Sequence, residues 1–142
     1  MRTLHVALRV ADAERSVSFY TLIGYEVLGY VSGTELGTLT MLKLPDDEFV
    51  ALELVHDPSN SRLQPGGLSH LVVQVEDVHA TVARLAARGI HAEEPGSPDG
   101  SEDFWTSWLS DPDGYRIEFV QWPSGHPDGM TRSDLTDSGQ NR

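Results

Sequence analysis

The chain carries one pattern twice, at a constant offset of 65 residues. His5 lies at the start of the segment HVALRVAD and His70 at the start of HLVVQVED, and 70 − 5 = 65. Glu53 in ALELV and Glu118 in RIEFV differ by the same amount, since 118 − 53 = 65. A repeat of this length predicts two copies of one supersecondary unit. Further identical pairs at this offset are Val10 with Val75, Asp12 with Asp77, Val17 with Val82, Gly24 with Gly89, and Asp46 with Asp111.

Bulk composition narrows the class of protein. A chain of 142 residues is one compact domain or two small fused modules. The hydrophobic core of one copy alone would be marginal for a stable fold, so we expect each copy to pack against the other or against a second chain. The sequence has no cysteine, which excludes disulfides, a thiol nucleophile and cysteine-ligated zinc. Its net charge of −12 argues against a nucleic-acid partner.

Membrane and export signals are not evident in the sequence. No apolar run approaches the roughly 18 residues of a transmembrane helix. The N-terminal segment MRTLHVALRV lacks the apolar core of a signal peptide. We therefore expect no membrane partner and a cytoplasmic location, which the lack of cysteine also suits.

Each copy predicts the element order βαβββ. In the first copy, a strand over residues 4–10 leads into a helix that Asp12 caps and Gly24 ends. Three strands follow, with the sequences YEVLGYV, TLTMLKL and VALELV. The second copy has the strands LSHLVVQV, HAEEP, FWTSWLS and YRIEFVQW, and its helix runs between Asp77 and Gly89. The residues expected to face inward are Val17, Tyr20 and Ile23 in the first helix and Val78, Val82 and Leu85 in the second.

These elements predict an α+β fold in which two tandem βαβββ modules form a curved mixed sheet. The first module covers residues 1–56, and a linker rich in turn residues covers 57–67. The second module covers residues 68–122. The remaining segment, 123–142, is polar and rich in Gly, Pro and Ser, and we expect it to be a flexible tail.

Strand parity places the repeated histidines and glutamates on the side away from the apolar layer. Alternation puts His5 and His70 opposite the apolar residues of their strands, and Glu53 and Glu118 lie in the middle of theirs. A lone strand histidine or glutamate is more often an ordinary hydrogen-bonded or exposed side chain. Four such residues at one offset favour coordination, because charged residues in strand centres cost stability unless they pair or bind something. Nitrogen and oxygen ligands without sulfur suit Ni, Co, Zn, Mn or Fe.

The most distinctive segments resemble a known family. MRTLHVALRVADAERSVSFYT, the LEL around Glu53, GLSHLVVQVED and DPDGYRIEFV resemble the vicinal oxygen chelate superfamily and, within it, bacterial glyoxalase I (lactoylglutathione lyase). The resemblance extends from Met1 to about Trp122. It implies a homodimer whose metal sites each take His5 and Glu53 from one chain and His70 and Glu118 from the other. It also implies one divalent ion per site, with Ni, Co or Zn favoured, and no organic cofactor.

The resemblance also implies a reaction and a set of substrate contacts. The reaction is isomerisation of the hemithioacetal of a 2-oxoaldehyde and a thiol through a metal-bound enediolate, as in methylglyoxal detoxification. Glu118 is implied as the base and Glu53 as its partner. Arg9 matches an arginine that contacts a glutathione carboxylate, and Asp57 stands where the family often has asparagine. Apart from the resemblance, Trp105 and Trp108 have opposite strand parity, so one of them should line the cavity, and Trp105 is the candidate substrate contact.

Two departures from the family pattern leave the substrate open. Asp57 would repel a carboxylate, and the loop SPDGSEDFW is acidic where the family is often rich in Lys and Gly. These changes predict either a less anionic or sugar-containing thiol or a different substrate. An epimerase or a dioxygenase of the same superfamily is one alternative, although the former usually carries glutamine at the position of Glu53 and the latter leaves Glu53 unexplained. A metal-free module that binds an antibiotic is the other, although such proteins generally lack the ligand set.

Overall fold

The computed structural model describes residues 1–63 and 66–136, and the chain forms two compact units. The first unit comprises Met1–Ser69 and Ser110–Arg116. Its elements are β1 (Val6–Arg9), α1 (Ala13–Ile23), β2 (Glu26–Thr34), β3 (Gly37–Lys43) and β4 (Leu52–His56). The predicted order βαβββ is therefore confirmed for this copy. The four strands form one mixed sheet in the order β1-β4-β3-β2, in which β1 and β4 are parallel and the other neighbours are antiparallel.

The second unit comprises His70–Leu109 and the chain from Ile117 onward. Its elements are β5 (His70–Gln74), α2 (Val78–Ala86), β6 (Trp105–Ser110), β7 (Arg116–Gln121) and the short α3 (Arg132–Thr136). The three strands form a separate sheet in the order β5-β7-β6, which places β7 next to β5. Mixed sheets with few helices confirm the predicted fold class.

The strand predicted for HAEEP is wrong. Residues 91–95 form no strand, and only an isolated bridge joins Gly96 to Thr106. Glu93 does donate its backbone N–H to the carbonyl of Trp108, at 2.7 Å. Pro95 has no N–H to donate, so the ladder cannot continue between these two contacts. The second copy therefore has the order βαββ in the described residues, followed by α3.

Both predicted helix starts are confirmed by their caps. The Asp12 carboxylate accepts a hydrogen bond from the Arg15 N–H at 3.0 Å, and Asp77 accepts one from the Ala80 N–H at 2.9 Å. Gly24 ends α1 with φ 122°, a value that L-residues rarely adopt. Gly89, with φ 81°, lies just beyond the end of α2.

The inward faces of the two helices differ from the prediction by one position. Tyr20 and Ile23 are buried in α1, as are Val78 and Leu85 in α2. The third buried positions are Ser16 and Thr81 rather than Val17 and Val82. The same shift occurs in both copies, since 81 − 16 = 65. Ser16 is accommodated because its hydroxyl donates to the Asp113 carboxylate, at 3.2 Å.

The turn between β6 and β7 belongs to the first unit, although it lies in the second copy of the sequence. The Tyr20 hydroxyl on α1 donates to Asp111 Oδ2 at 2.7 Å. Arg15 donates to Asp113 Oδ1 at 3.1 Å, and the Tyr115 hydroxyl donates to the backbone oxygen of Arg9 at 2.8 Å. Burial raises the pKa of Asp111 above its usual range. This acidic turn therefore completes the packing around α1.

The segment that follows β7 was predicted to be a flexible tail, but its residues up to Leu135 are ordered against the second unit. It forms α3 and makes side-chain contacts with the second unit, including a stack of the His126 ring on Trp122. Residues 137–142 of the predicted tail and Gln64 and Pro65 of the predicted linker lie outside the described residues. Among the described residues, no helix is both long enough and apolar enough to cross a membrane.

Candidate functional site

The first His–Glu pair joins β4 to the residue before β1. His5 precedes β1, whose Ala7 is in parallel register with Glu53 on β4. His5 Nε2 lies 2.8 Å from Glu53 Oε2. Leu52 and Leu54, on either side of this glutamate, are 1% exposed. A carboxylate in such a strand needs a partner, and His5 supplies one in this chain.

The second pair repeats this arrangement in the second unit. His70 begins β5, and Glu118 lies in the middle of the neighbouring strand β7. His70 Nε2 lies 3.5 Å from Glu118 Oε2. The edge of the His70 ring meets Trp108, with ring centroids 4.8 Å apart. The sequence repeat is thus also a repeat of geometry, with one histidine and one glutamate on adjacent strands in each unit.

The spacing within each pair fits two neighbouring ligands of one metal ion. Two ligands at about 2.1 Å from an ion and at right angles lie about 3.0 Å apart. The measured separations of 2.8 and 3.5 Å lie on either side of that value. Imidazole nitrogen and carboxylate oxygen also suit Ni, Co and Zn. Throughout residues 1–63 and 66–136, no three His, Asp or Glu side chains gather as a candidate metal site, so each pair offers two ligands.

A cavity of about 600 Å³ lies in the second unit and contains the second pair. Its lining follows the alternation of the strands, with Val72 and Gln74 beyond His70 on β5 and Val120 beyond Glu118 on β7. The predicted face of these strands is therefore confirmed. Among the described residues, no lysine or arginine lines this cavity, which therefore suits an uncharged or apolar group beside a carboxylate. The other lining residues are Pro98, Phe104, Thr106, Trp122, Gly129 and Met130.

Trp105, predicted as a substrate contact, is not among the described residues that line this cavity. Phe104 and Thr106 line it, so alternation turns Trp105 to the opposite face of β6. There its ring meets His79 of α2 with centroids 4.5 Å apart, and its Nε1 donates to the Glu102 carbonyl at 2.9 Å. Trp108 has the other parity and is the tryptophan of β6 that contacts His70.

Arg9 and Asp57, the other predicted substrate contacts, lie in the first unit. Asp57 Oδ1 accepts hydrogen bonds from the Ser59 hydroxyl at 2.7 Å and from the Ser59 N–H at 2.9 Å. These bonds and, more weakly, the charge of Arg9 lower the pKa of Asp57. Asp57 therefore stays ionised and offsets part of the positive charge that Arg9 can offer to an anionic substrate.

Trp122 and Met130 are among the residues of the cavity wall that were not predicted from the sequence. Trp122 continues the alternation of Glu118 and Val120, so parity alone could have identified it. Met130 comes from the segment that composition marks as a tail. No local signal in the sequence connects Met130 with the cavity.

The fold and the paired ligands agree with what comparisons with known proteins find. The sequence profile of the glyoxalase/bleomycin resistance protein/dioxygenase superfamily matches residues 2–119. The chain belongs to this superfamily. It is 34% identical over 130 residues to a probable lactoylglutathione lyase of Vibrio cholerae, which covers 88% of this chain and 94% of that protein. The family resemblance predicted from the sequence is therefore confirmed.

The solved structures that resemble this chain include both an enzyme and a binding protein. The trypanothione-dependent glyoxalase I of Leishmania major is 30% identical, with a TM-score of 0.69, over 85% of this chain and 86% of that one. TnmS3, an antibiotic-binding protein from Streptomyces, is 26% identical, with a TM-score of 0.68, over 87% of this chain and 98% of that one. Because the fold serves both activities, the function has to be argued from the site.

Proposed function

We propose that this chain is a cytoplasmic, metal-dependent lyase of the glyoxalase I type. It isomerises the hemithioacetal formed from a 2-oxoaldehyde and a thiol. The observation that carries the proposal is the repeated His–Glu pair, which has the spacing of adjacent metal ligands at equivalent strand positions in both units. The similarity to lactoylglutathione lyases supports this function over binding alone.

The proposed metal site is shared in a homodimer. His5 and Glu53 of one protomer and His70 and Glu118 of the other would hold one divalent ion, with Ni, Co and Zn as candidates. When bound, this ion supplies Lewis-acid stabilisation of the negative charge that develops on the substrate oxygens. Large apolar side chains exposed on the first unit support association with a second copy, since such residues often mark interfaces. They include Leu4, Leu28, Tyr30, Val31, Leu36 and Phe49.

Glu118 is proposed as the base. Its side chain is 20% exposed and lines the cavity, whereas the Glu53 side chain is 9% exposed between two buried leucines. Glu118 therefore has a cavity in its own unit from which a substrate can reach it. Its carboxylate removes the proton from C1 of the hemithioacetal and returns a proton to C2. The product thioester has the same atoms as the hemithioacetal, so the reaction needs no redox cofactor.

The apolar cavity of the second unit and the charges of the first unit indicate which kind of thiol the substrate contains. We assign the cavity beside Glu118 to the uncharged end of the hemithioacetal, since no lysine or arginine lines it in the part of the chain that the structure describes. Arg9 is proposed to meet the thiol moiety, with its attraction for carboxylates reduced by Asp57. The net charge of −12 further disfavours a strongly anionic thiol. These features favour a thiol less anionic than glutathione.

The decisive experiment measures turnover of methylglyoxal with a panel of thiols after loading with Ni²⁺, Co²⁺ or Zn²⁺. We expect Glu118→Gln to lower kcat by roughly 10²- to 10⁴-fold, because the amide cannot accept the proton. Glu94→Gln, at an exposed position away from the cavity, is the matched control and should leave kcat unchanged. Bound metal without turnover of any thiol adduct would contradict the glyoxalase assignment and point to another enzyme of the superfamily.

A second candidate function is metal-free binding of an antibiotic-like molecule. It is favoured by the apolar lining of the cavity and by the similarity to TnmS3. The two functions separate on metal content, measured before and after treatment with a chelator. A protein that takes up none of the three ions would support the binding function and contradict the lyase.

A further inference from the structure

The segment after β7 forms part of the cavity wall, although it lies beyond the residues that the superfamily profile matches. The match ends at residue 119, and the C-terminal strap, defined here as residues 123–135, follows. Gly129 and Met130 of this strap line the cavity that contains His70 and Glu118. The strap is thus a feature of this chain at the site, beyond the part that the family match covers.

Stacked rings attach the start of the strap to the second unit. The ring of His126 lies parallel to that of Trp122, with centroids 4.4 Å apart and an interplanar angle of 11°. Trp122 in turn stacks on Phe104, at 5.7 Å and 9°. Both Trp122 and Phe104 line the cavity. The His126 ring therefore packs directly on a residue of the cavity wall, Trp122, which in turn packs on a second, Phe104.

Both nitrogens of His126 also meet acceptors. Nε2 lies 2.8 Å from Asp134 Oδ1, and Nδ1 lies 2.7 Å from the Pro127 carbonyl oxygen. A neutral imidazole has one N–H, so only the protonated ring can donate to both acceptors. We call this pair of contacts the His126 clasp. It holds the loop that follows Trp122 against the short helix α3.

Asp134, the carboxylate partner in the clasp, is itself held by further hydrogen bonds. Asp134 Oδ2 accepts hydrogen bonds from the Thr131 N–H, at 2.6 Å, and from the Thr131 hydroxyl, at 3.0 Å. This arrangement caps the first turn of α3. A separate contact joins the strap to β5, because Gln74 Nε2 donates to Asp128 Oδ1 at 3.2 Å. Met130 lies between these anchored residues in the sequence.

We propose that the C-terminal strap closes the cavity beside Glu118 and that the His126 clasp holds it closed. A small molecule then enters when the clasp opens, and Met130 packs against it when the clasp closes again. His126 acts as a positioning residue, since it contacts the strap rather than the reacting atoms. The closure itself is independent of the proposed lyase activity, and only its effect on kinetics rests on that function.

The charged groups around His126 favour its protonated form. Its hydrogen bond to Asp134 and that to the Pro127 carbonyl raise the pKa of His126 above its usual value. Glu76 and Asp103 line the same small surface pocket as His126 and add negative charge there. Arg132, also on α3, is exposed. The acidic groups of Asp134, Glu76 and Asp103 agree with a clasp built on an imidazolium.

Hydrogen–deuterium exchange of the full chain at about pH 6, where histidine is largely protonated, tests the closure. We expect His126→Ala to speed exchange in residues 123–136 by roughly threefold to tenfold, because it loses both the ion pair and the ring stack. His126→Phe keeps the stack, and Asp134→Asn keeps the ring, so both should give smaller increases. Exchange in α1 should not change. His91→Ala, at an exposed histidine, is the matched control.

Two results would overturn the proposal. The first is exchange in residues 123–136 that is as slow in His126→Ala as in the His91→Ala control. The second concerns the kinetics and can be measured once the lyase activity is found. In that case we expect His126→Ala to raise KM severalfold with kcat largely retained. An unchanged KM despite faster exchange would show that the strap does not control entry. If no thiol adduct turns over, the proposed function fails, while the exchange result still decides whether the clasp holds the strap.

Discussion

The two repeated glutamates are identical in the sequence pattern but differ in their surroundings. Glu53 is enclosed by the sheet of the first unit and lies 2.8 Å from His5. Glu118 lies farther from its histidine, at 3.5 Å, and opens onto a cavity. Position in the repeat therefore predicts which residues are candidate ligands. The surroundings of each residue cannot be read from the repeat, and the cavity beside Glu118 is the reason why Glu118 is the proposed base.

A second residue-scale feature is the buried hydrogen bond between Tyr20 and Asp111. Asp111 Oδ1 also accepts the N–H groups of Asp113 and Tyr115, at 2.8 and 2.9 Å. We expect Tyr20→Phe to lower the free energy of unfolding by about 1–3 kcal/mol, because it leaves a buried carboxylate oxygen without its donor. Urea denaturation measures this loss. The control is Tyr30→Phe at an exposed position, where a change beyond about 0.5 kcal/mol is not expected. Equal losses in the two variants would contradict a special role for Asp111.

At the scale of elements, local signals predicted the helices better than the strands. Asp12 and Asp77 cap their helices because a side-chain oxygen satisfies a nearby N–H, which is a local interaction. The burial of Ser16 in place of Val17 was not predicted, because its hydroxyl is satisfied by Asp113, 97 residues away. HAEEP failed as a strand because a ladder needs donors that Pro95 lacks.

The strap is the element with a defined pH dependence. The pKa of His126 is raised, so the contribution of the clasp is fully present below the unperturbed value of 6.5 and is lost as pH rises through the raised pKa. The pKa of Asp134 is lowered to about 2, so its contribution is fully present above the unperturbed value of 3.8 and is lost as pH falls through about 2. Both contributions are fully present between about pH 3.8 and pH 6.5, so the clasp should be closed in this range.

Tryptophan fluorescence measures this dependence, because His126 stacks on Trp122. We expect a transition above pH 6.5 in the wild type, where the imidazolium loses its proton. His126→Phe keeps an aromatic ring on Trp122 but has no group that titrates, and should abolish the transition. The same transition in His126→Phe would show that it arises from another histidine.

At the scale of the whole molecule, the proposed dimer makes a prediction that no single chain can satisfy. If each site combines His5 and Glu53 of one protomer with His70 and Glu118 of the other, His5→Ala and His70→Ala should each be inactive alone. A heterodimer of the two variants has one site with both substitutions and one intact site. Random reassociation should therefore restore about one quarter of wild-type activity, because half of the dimers are mixed and half of their sites are intact.

The measurement is the rate of turnover after the two purified variants are mixed, dissociated and reassociated. A mixture of His5→Ala with the double variant His5→Ala/His70→Ala is the control and should stay inactive. No recovery in the first mixture, despite heterodimers detected by mass spectrometry, would show that the two pairs do not combine across protomers.

The sequence by itself determined the features that depend on neighbours along the chain or on the repeat. These are the element order of the first copy, the helix caps, the strand faces and the four candidate ligands, because period-two alternation and a constant offset can be read without knowing the fold. The tertiary structure alone decided that Trp108 rather than Trp105 meets His70, that the acidic turn around Asp111 packs on α1, and that Met130 reaches the cavity. The physical reason is that these contacts join segments far apart in sequence. Tyr20 and Asp111, for example, are 91 residues apart, and no local pattern encodes which of many polar or apolar partners a residue will meet.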